Sequence, residues 1–425
     1  MNVPVLTASA HTTIKDYNGV PPRSRKRDLP LEQARDLLLQ HAVVRPGIRL
    51  PLLEALGHAI REDLPVQKDI PGFNRSCVDG YALQSRDTEK AGASDPARFQ
   101  VLETVAAGRN PIFQVSAGTA VKVMTGAPIP SGADAVIKYE EVRREGADIL
   151  VEQHLPADIN VVKAGEEITA GKFIFTKGTP VTPALIGLLA AAGFYDLPVY
   201  AKVKAAIIST GSELVELGKT LDSGQIYNSS QYFFTALLGQ IGVEPVPMDI
   251  VPDETAKIAA RVQSALEKAD LVITTGGVSA GDYDLVENAL EMAEAENLFS
   301  GLKVKPGKSF VAGKKDGKLI LGLSGHPGAA FAGFEFLIKP VLKKMMGYQD
   351  ILPRKVEVVL SDDYMKTDSR KMKAARLSVE GGVARARILT GHGVLRMMVD
   401  CNLFVDIPPG KGLIKAGEKV SAYLI

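Results

Sequence analysis

Two cysteines, Cys77 and Cys401, are all that 425 residues contain, and they lie far apart in sequence. No disulfide framework and no metal-ligand or redox spacing follows from such a pair. Both thiols are expected as small buried side chains in a reducing compartment. Charge of one sign is missing too: 50 basic against 49 acidic residues leave a formal net charge of +1. No global field therefore draws the chain to nucleic acid or an anionic membrane. Long apolar runs are also absent. The most apolar stretch, residues 184–194, is about half the ~20 residues a membrane helix requires. The amino-terminal segment has no basic region followed by an apolar one, so no signal peptide is expected. A Walker loop, a G-x-G-x-x-G fingerprint and a zincin helix are missing as well. The expectation is a soluble cytoplasmic protein whose anion chemistry comes from local sites.

What is present is ordinary globular composition, 46% apolar and 23% charged, in a chain long enough for several domains. The first 27 residues end in the basic run Arg23-Ser24-Arg25-Lys26-Arg27, which reads as a solvated tail. Asp28 reads as the cap of a helix with Leu31, Ala34, Leu37, Leu38 and Ala42 on one face. Residues 1–66 are thus a tail and the first segment of a helical linker domain. In 67–156, short β-type runs (99–105, 119–124, 135–139, 149–151) alternate with Gly, Pro and Asn, the texture of an inserted, mostly-β module. Thr182 and Pro183 open a helix in the second linker segment, 157–203.

From 204 to 349 the pattern is strand, Gly-rich turn, helix. Strands at 205–208, 271–273 and 319–321 run into Ser209-Thr210-Gly211, Thr274-Thr275-Gly276-Gly277 and Ser324-Gly325-His326-Pro327. Continuous apolar strands alternating with helices predict a parallel sheet covered on both faces, a three-layer α/β/α domain. Residues 350–425 return to short strands and predict a small β-barrel-like domain. The fold class is multi-domain α/β.

Ligands of open α/β sheets bind beyond the carboxyl ends of the strands, and three neighbouring Gly- or Ser/Thr-rich turns before helices make an anion site there. Gly276 and Gly277 permit close backbone approach to a phosphate. Asp282 and Asp284 suit Mg²⁺ or water orientation, although Asp284 with Glu287 also reads as a capping box. Lys305-Pro306-Gly307-Lys308 is a turn with two ammonium groups, either a plain surface turn or, beside phosphate, a source of compensating charge. Glu213 and Asp253 each follow a strand, as helix-initiating acids or as site groups. Ser324 lies near His326, but no acid partner completes a hydrolase triad, and His326 reads equally as the opening of a helix.

Six segments together resemble one family. They are Asp69-Ile70-Pro71-Gly72-Phe73-Asn74-Arg75-Ser76-Cys77-Val78-Asp79-Gly80-Tyr81-Ala82; Met124-Thr125-Gly126-Ala127-Pro128 with Gly132-Ala133-Asp134-Ala135-Val136; Ser209-Thr210-Gly211-Ser212-Glu213-Leu214; Gly224-Gln225-Ile226-Tyr227-Asn228-Ser229; the 275–284 loop; and the 305–308 turn. In order and spacing they resemble the molybdopterin molybdenumtransferases, to which the gephyrin E domain belongs. The resemblance covers nearly everything after Asp28.

It implies an elongated homodimer with a site shared between the α/β domain of one subunit and the inserted β module of the other. The implied reaction moves molybdenum from molybdate into adenylylated molybdopterin, releasing AMP with Mg²⁺ assisting. A molybdopterin adenylyltransferase and apo-molybdoenzymes are the implied protein partners. Carried onto this chain, the functional positions are Asp79 and Thr125 in the inserted module, Glu213, Asp253, Asp284, Lys305 and Lys308 in the α/β domain, and Arg376 in the last domain. Asp253 and Asp284 fall to Mg²⁺ or water, the lysines and Arg376 to oxyanion charge. Ser279, the glycines and the 324–326 turn (Ser324, Gly325, His326) fall to substrate.

Three positions depart from the family pattern: Gly301 where many members carry a basic residue, His326 in place of an amide, and Val78 in place of Met. Lys303 shares a strand face with Lys305 and position 301, so it is expected to compensate. These departures bear on the choice between molybdate and tungstate. The alternatives to an insertase are a pterin-binding scaffold or storage protein, a tungstate-specific insertase, and a nucleotide pyrophosphatase of related fold.

Overall fold

The computed structural model describes residues 27–278, 285–390 and 394–425. The chain forms two compact units: one reaching to Val43 and including Val203–Leu342 and Leu352–Ile425, the other Val44–Lys202 with Lys343–Ile351.

The second of these contains a six-stranded sheet with the strands in the order Ala135–Lys138, Gly80–Leu83, Thr119–Val123, Ala97–Val105, Asp148–Val151 and Arg143–Glu145. Successive side chains of a strand point to opposite faces. Tyr81, Leu83, Phe99, Ile137 and Ile149 fill one core, while Ala82, Val121, Val123 and Val136 fill a second. Four of these strands match the β-type runs of the sequence to within two residues, whereas Gly80–Leu83 and Arg143–Glu145 are not among those runs. The flanking segments hold the helix Pro183–Ala191, opened by the Thr182 hydroxyl accepting the Leu185 N–H at 3.2 Å. Elsewhere they form two-stranded ladders, Gly47–Pro51 with Asp196–Tyr200 and Leu64–Pro65 with Ile174–Phe175. Such pairings join residues more than a hundred positions apart, so local periodicity gives no sign of them.

In the first unit the strands β1 (Arg27–Leu29), β2 (Lys204–Ser209), β3 (Glu244–Pro247), β4 (Leu271–Thr275), β5 (Glu296–Leu302), β6 (Phe310–Lys315) and β7 (Lys318–Leu323) form one sheet, ordered β1-β5-β6-β7-β4-β2-β3. Its helices are α1 (Leu31–His41), α2 (Ser229–Gln240), α3 (Thr255–Lys268), α4 (Leu285–Met292) and α5 (Pro327–Gly333). Helix α3 buries Ile258, Ala259, Val262, Ala265 and Leu266, and α4 buries Val286, Ala289 and Leu290, against Ala206, Ile208, Val272 and Ile320 of the sheet. At about 25 cal/mol per Å² of apolar surface removed from water, such a stripe is the main stabilising contribution of each helix.

The sheet is not wholly parallel, which corrects the expectation from sequence. β6 runs antiparallel to both β5 and β7. The reason is local: Asp316 and Gly317, with φ of 51° and 77°, make the two-residue turn that reverses the chain between β6 and β7. Asp28 is likewise not a helix cap. It lies in β1 with a φ of 52°, and α1 starts after Pro30, which makes no side-chain capping bond.

The last strands, β8 (Lys355–Leu360), β9 (Lys371–Glu380), β10 (Val383–Ile388), β11 (Leu403–Ile407) and β12 (Lys419–Leu424), close into a barrel in the order β8-β10-β9-β11-β12. Leu360, Ala375, Ala386, Leu403, Val405 and Ala422 fill its interior. Helix α6 (Val394–Asp400) precedes β11. Among the described residues no helix is long and apolar enough to cross a membrane.

Candidate active site

The carboxyl ends of β2, β4 and β7 lie side by side, with Ser209 paired to Thr275 and Thr275 to Leu323. The turns that follow are tied to one another. The Thr210 N–H donates to the Thr275 carbonyl at 2.9 Å, and the Gly276 N–H donates to the Leu323 carbonyl at 3.1 Å. Small residues are needed where turns touch. A Cβ on Gly276 would collide with the Thr210 carbonyl, and one on Gly325 would stand 3.4 Å from the Gly276 Cα. Gly276 and Gly277 also have φ of 96° and 66°, the left-handed region that favours glycine. The N–H groups of Gly277, Ser324 and Gly325 meet no acceptor among the described residues. N–H groups without an acceptor among the described residues, clustered beyond the carboxyl ends of parallel strands, suit a nest for anionic oxygens.

Asp253 stands at the edge of this cluster. Its Oδ2 accepts the Ser212 N–H at 3.2 Å, and the Ser212 hydroxyl oxygen accepts the Asp253 N–H at 3.1 Å. This reciprocal pair holds the 211–213 turn against the start of α3. Glu213 is followed by the short strand Leu214–Val215, which removes its reading as a helix-initiating acid. Its carboxylate folds back over Gly211, 2.6 Å from where a Cβ there would stand. Ser279, Asp282 and Asp284 lie outside the described residues. Among those described, no three His, Cys, Asp or Glu side chains gather as a metal site. Among the described residues nothing donates to the Asp253 Oδ1, and one such carboxylate with substrate phosphates is a donor set that suits Mg²⁺.

A cavity of about 310 Å³ lies between α5, the 305–308 turn and the barrel strand β9. Lys305, Lys371, Lys373 and His326 line it, against a wall that includes Met372, Met397, Phe331 and Phe404. Lys305 and Lys371 are partners in a parallel bridge. Like charges placed opposite each other are destabilising, and no carboxylate pairs with either lysine among the described residues. An uncompensated pair beside an apolar wall is an arrangement suited to binding an anion.

The nearby acids are engaged elsewhere. Arg370 donates from Nε and Nη2 to Asp406 at 2.8 and 2.7 Å, and from Nη1 to both oxygens of Glu32 at 2.8 and 2.9 Å. These bonds hold the guanidinium well above its ordinary pKa. Lys308 is exposed in the same turn as Lys305 but does not line the cavity. Arg376 also stays away: it is exposed and pairs with Asp400 at 3.2 Å. Sequence reading missed Lys371 and Lys373, although two lysines spaced by two residues in a strand share a face. At Gly301 the φ is 86°, so any side chain there is strained, and the Asp28 carboxylate, 2.6 Å from where a Cβ would be, would have to move to admit the basic residue seen in many members. Lys303 is exposed between buried Leu302 and Val304, just beyond the end of β5, and does not line the cavity.

In the other unit, Asp79 and Thr125 meet. The Asp79 Oδ1 accepts both the Thr125 N–H at 2.7 Å and its hydroxyl at 2.8 Å. Those two bonds hold the carboxyl below its ordinary pKa.

Residues 29–193 match the MoeA N-terminal region (domain I and II), and residues 206–344 match the probable molybdopterin binding domain. A molybdopterin molybdenumtransferase of Staphylococcus aureus (strain MRSA252) is 32% identical over 403 residues, 94% of this chain and 96% of that protein. The chain belongs to the molybdopterin molybdenumtransferase family. A second relative, from Staphylococcus epidermidis (strain ATCC 12228 / FDA PCI 1200), is 33% identical over 396 residues, 92% of this chain and 94% of the relative. The crystal structure of the molybdopterin biosynthesis MoeA protein from Pyrococcus horikoshii OT3 superposes with a TM-score of 0.78 at 32% identity, covering 94% of this chain and all of that one. As a molybdopterin molybdenumtransferase family member, the protein is a transferase with a role in molybdenum cofactor biosynthesis. The multi-domain α/β architecture expected from sequence is the one found.

Proposed function

We propose that the protein transfers molybdenum from molybdate into adenylylated molybdopterin, with cleavage of the phosphoanhydride and departure of AMP. The observation that carries this reading is the pairing of two anion sites in one unit: N–H groups at Gly277, Ser324 and Gly325 that meet no acceptor among the described residues, and the Lys305–Lys371 pair at the cavity. The first suits the two linked phosphates of the pterin nucleotide. The second suits a tetrahedral dianion, held by ammonium groups beside a wall of low polarity.

In this reading the turns after β2, β4 and β7 hold the phosphates and orient the anhydride. Lys305 and Lys371 would keep the oxyanion close to the dithiolene sulfurs, and Lys308, exposed outside the cavity, would add its charge from the same turn as Lys305. Both reactants then meet in fixed positions, which replaces a bimolecular encounter by an intramolecular one. Asp253 and Asp284 would hold Mg²⁺, which would supply neutralising charge to the departing phosphate. Asp79, with its charge stabilised by Thr125, would serve the site of a second copy in a homodimer. Arg376, paired with Asp400 outside the cavity, would reach the oxyanion only by leaving that partner.

The test is to incubate the purified protein with adenylylated molybdopterin and Mg²⁺ and follow AMP by chromatography. Release that requires molybdate or tungstate supports the reading. Release without any oxyanion contradicts it and indicates a pyrophosphatase; pterin binding with no release indicates a scaffold.

A further inference from the structure

We propose that Lys373 is a specificity-determining residue of the oxyanion cavity, the third ammonium group that favours a tetrahedral dianion over a monoanion. The inference rests on the reading above for the identity of the oxyanion, but its structural basis is separate. Lys371 and Lys373 are spaced by two residues on β9 and so share a face, and Lys371 is the bridge partner of Lys305. All three line one cavity.

Lys373 is half-buried, with its Nζ 5.9 Å from the centre of the Tyr364 ring, and no carboxylate pairs with it among the described residues. Burial, and then the neighbouring charge of Lys371, push its pKa below the ordinary value. A bound dianion would relieve both penalties. Asp406 lies opposite Met372 on the adjacent strand and is the acid nearest in register to Lys373. Both of its oxygens accept from Arg370, and no carboxylate among the described residues pairs with the cavity lysines. A monoanion would leave more of this positive charge uncompensated than a dianion would. The methionines and phenylalanines of the wall offer no dipole to make up the difference.

The experiment is calorimetric titration of the full chain and its K373Q and K373R variants with molybdate, with sulfate as a dianion that has no transfer chemistry, and with perchlorate as a monoanion. K373Q is expected to weaken molybdate and sulfate about tenfold, the loss of one charge-assisted contact. Perchlorate is expected to change by less, and K373R to recover most of the loss. Adenylylated molybdopterin binding should be unchanged, which a general structural defect would not allow. Unchanged dianion binding in K373Q overturns the proposal, as does an equal loss for perchlorate. If K373Q does not fold, K373M, which keeps the length of the stem, takes its place with the same expectations. Oxyanion-dependent AMP release by the wild type together with normal dianion binding by K373Q would remove Lys373 alone. Dianion binding that needs Lys373, with no AMP release by the wild type, would remove the insertase reading alone.

Discussion

Lys305 and Lys371 face each other across a parallel bridge: the Lys305 N–H donates to the Arg370 carbonyl at 3.0 Å, and the Lys305 carbonyl accepts the Met372 N–H at 2.9 Å. Two backbone bonds thus fix a like-charge pair that would otherwise separate. Replacing either lysine with alanine should raise the KM for molybdate by about tenfold, with a smaller effect on the pterin nucleotide. Added salt should weaken molybdate in the wild type more than in the variants, because screening acts on the same charges. Steady-state kinetics at two ionic strengths checks this, and equal salt dependence in all three proteins would contradict it.

Gly301 separates a family pattern from what this chain can accommodate. With a φ of 86° and the Asp28 carboxylate alongside, Gly301→Arg should cost about 1–2 kcal/mol of stability from backbone strain alone. The expected outcome is a lower thermal midpoint without a gain in molybdate affinity. Unchanged stability with tighter binding would show that the site lacks a charge that Lys303 does not supply.

His58 gives a pH dependence outside the site. It is buried, with Nδ1 2.7 Å from the Tyr200 carbonyl, and burial lowers its pKa below the ordinary 6.5. The neutral ring is the form the fold accommodates. Its stabilisation is therefore complete above pH 6.5 and is lost as pH falls through the lower folded value. Thermal midpoints should fall between pH 7.5 and about pH 5 more steeply for the wild type than for H58Q. Parallel curves would rule out His58 as the source.

Asp79 offers a way to separate charge from hydrogen bonding. Its pKa is lowered first by the Thr125 N–H and then by the Thr125 hydroxyl. The stabilisation of its charge is present above the ordinary 3.8 and lost as pH falls through the lower folded value, so no limb of a rate profile near neutrality should come from this group. Asp79→Asn retains an oxygen for both Thr125 bonds but no charge, whereas Asp79→Ala keeps neither. If the charge acts on substrate, both should lower kcat/KM about equally, by at least ~tenfold. Full activity in Asp79→Asn would reduce the residue to holding the 125 turn.

Much of this was legible in the sequence, for physical reasons. Apolar runs at 205–208, 271–273 and 319–321, each ending in glycine and hydroxyl residues, are what buried strands leading into an anion-binding turn require. Gly276 and Gly277 could be singled out as paired glycines directly after a buried strand, and the structure adds that the φ of Gly276 and the closeness of Thr210 require glycine there. Less legible was anything that depends on distant pairing. Lys371 acquires its meaning from a bridge to Lys305, and nothing local in Lys-Met-Lys announces that partner. Arg376, on the same strand, was the more conspicuous cation, yet it pairs with Asp400 and stays out of the cavity. Asp28 has the right type for a cap, but the adjacent strand draws it into β1.

The most direct test of the central claim is a single-turnover reaction with enzyme in excess over adenylylated molybdopterin, measuring AMP released and molybdenum incorporated into pterin in the same sample. The account predicts one AMP for each metal atom transferred, at matching rates, and neither product without an oxyanion. AMP appearing at the same rate with no molybdenum in the pterin would contradict it.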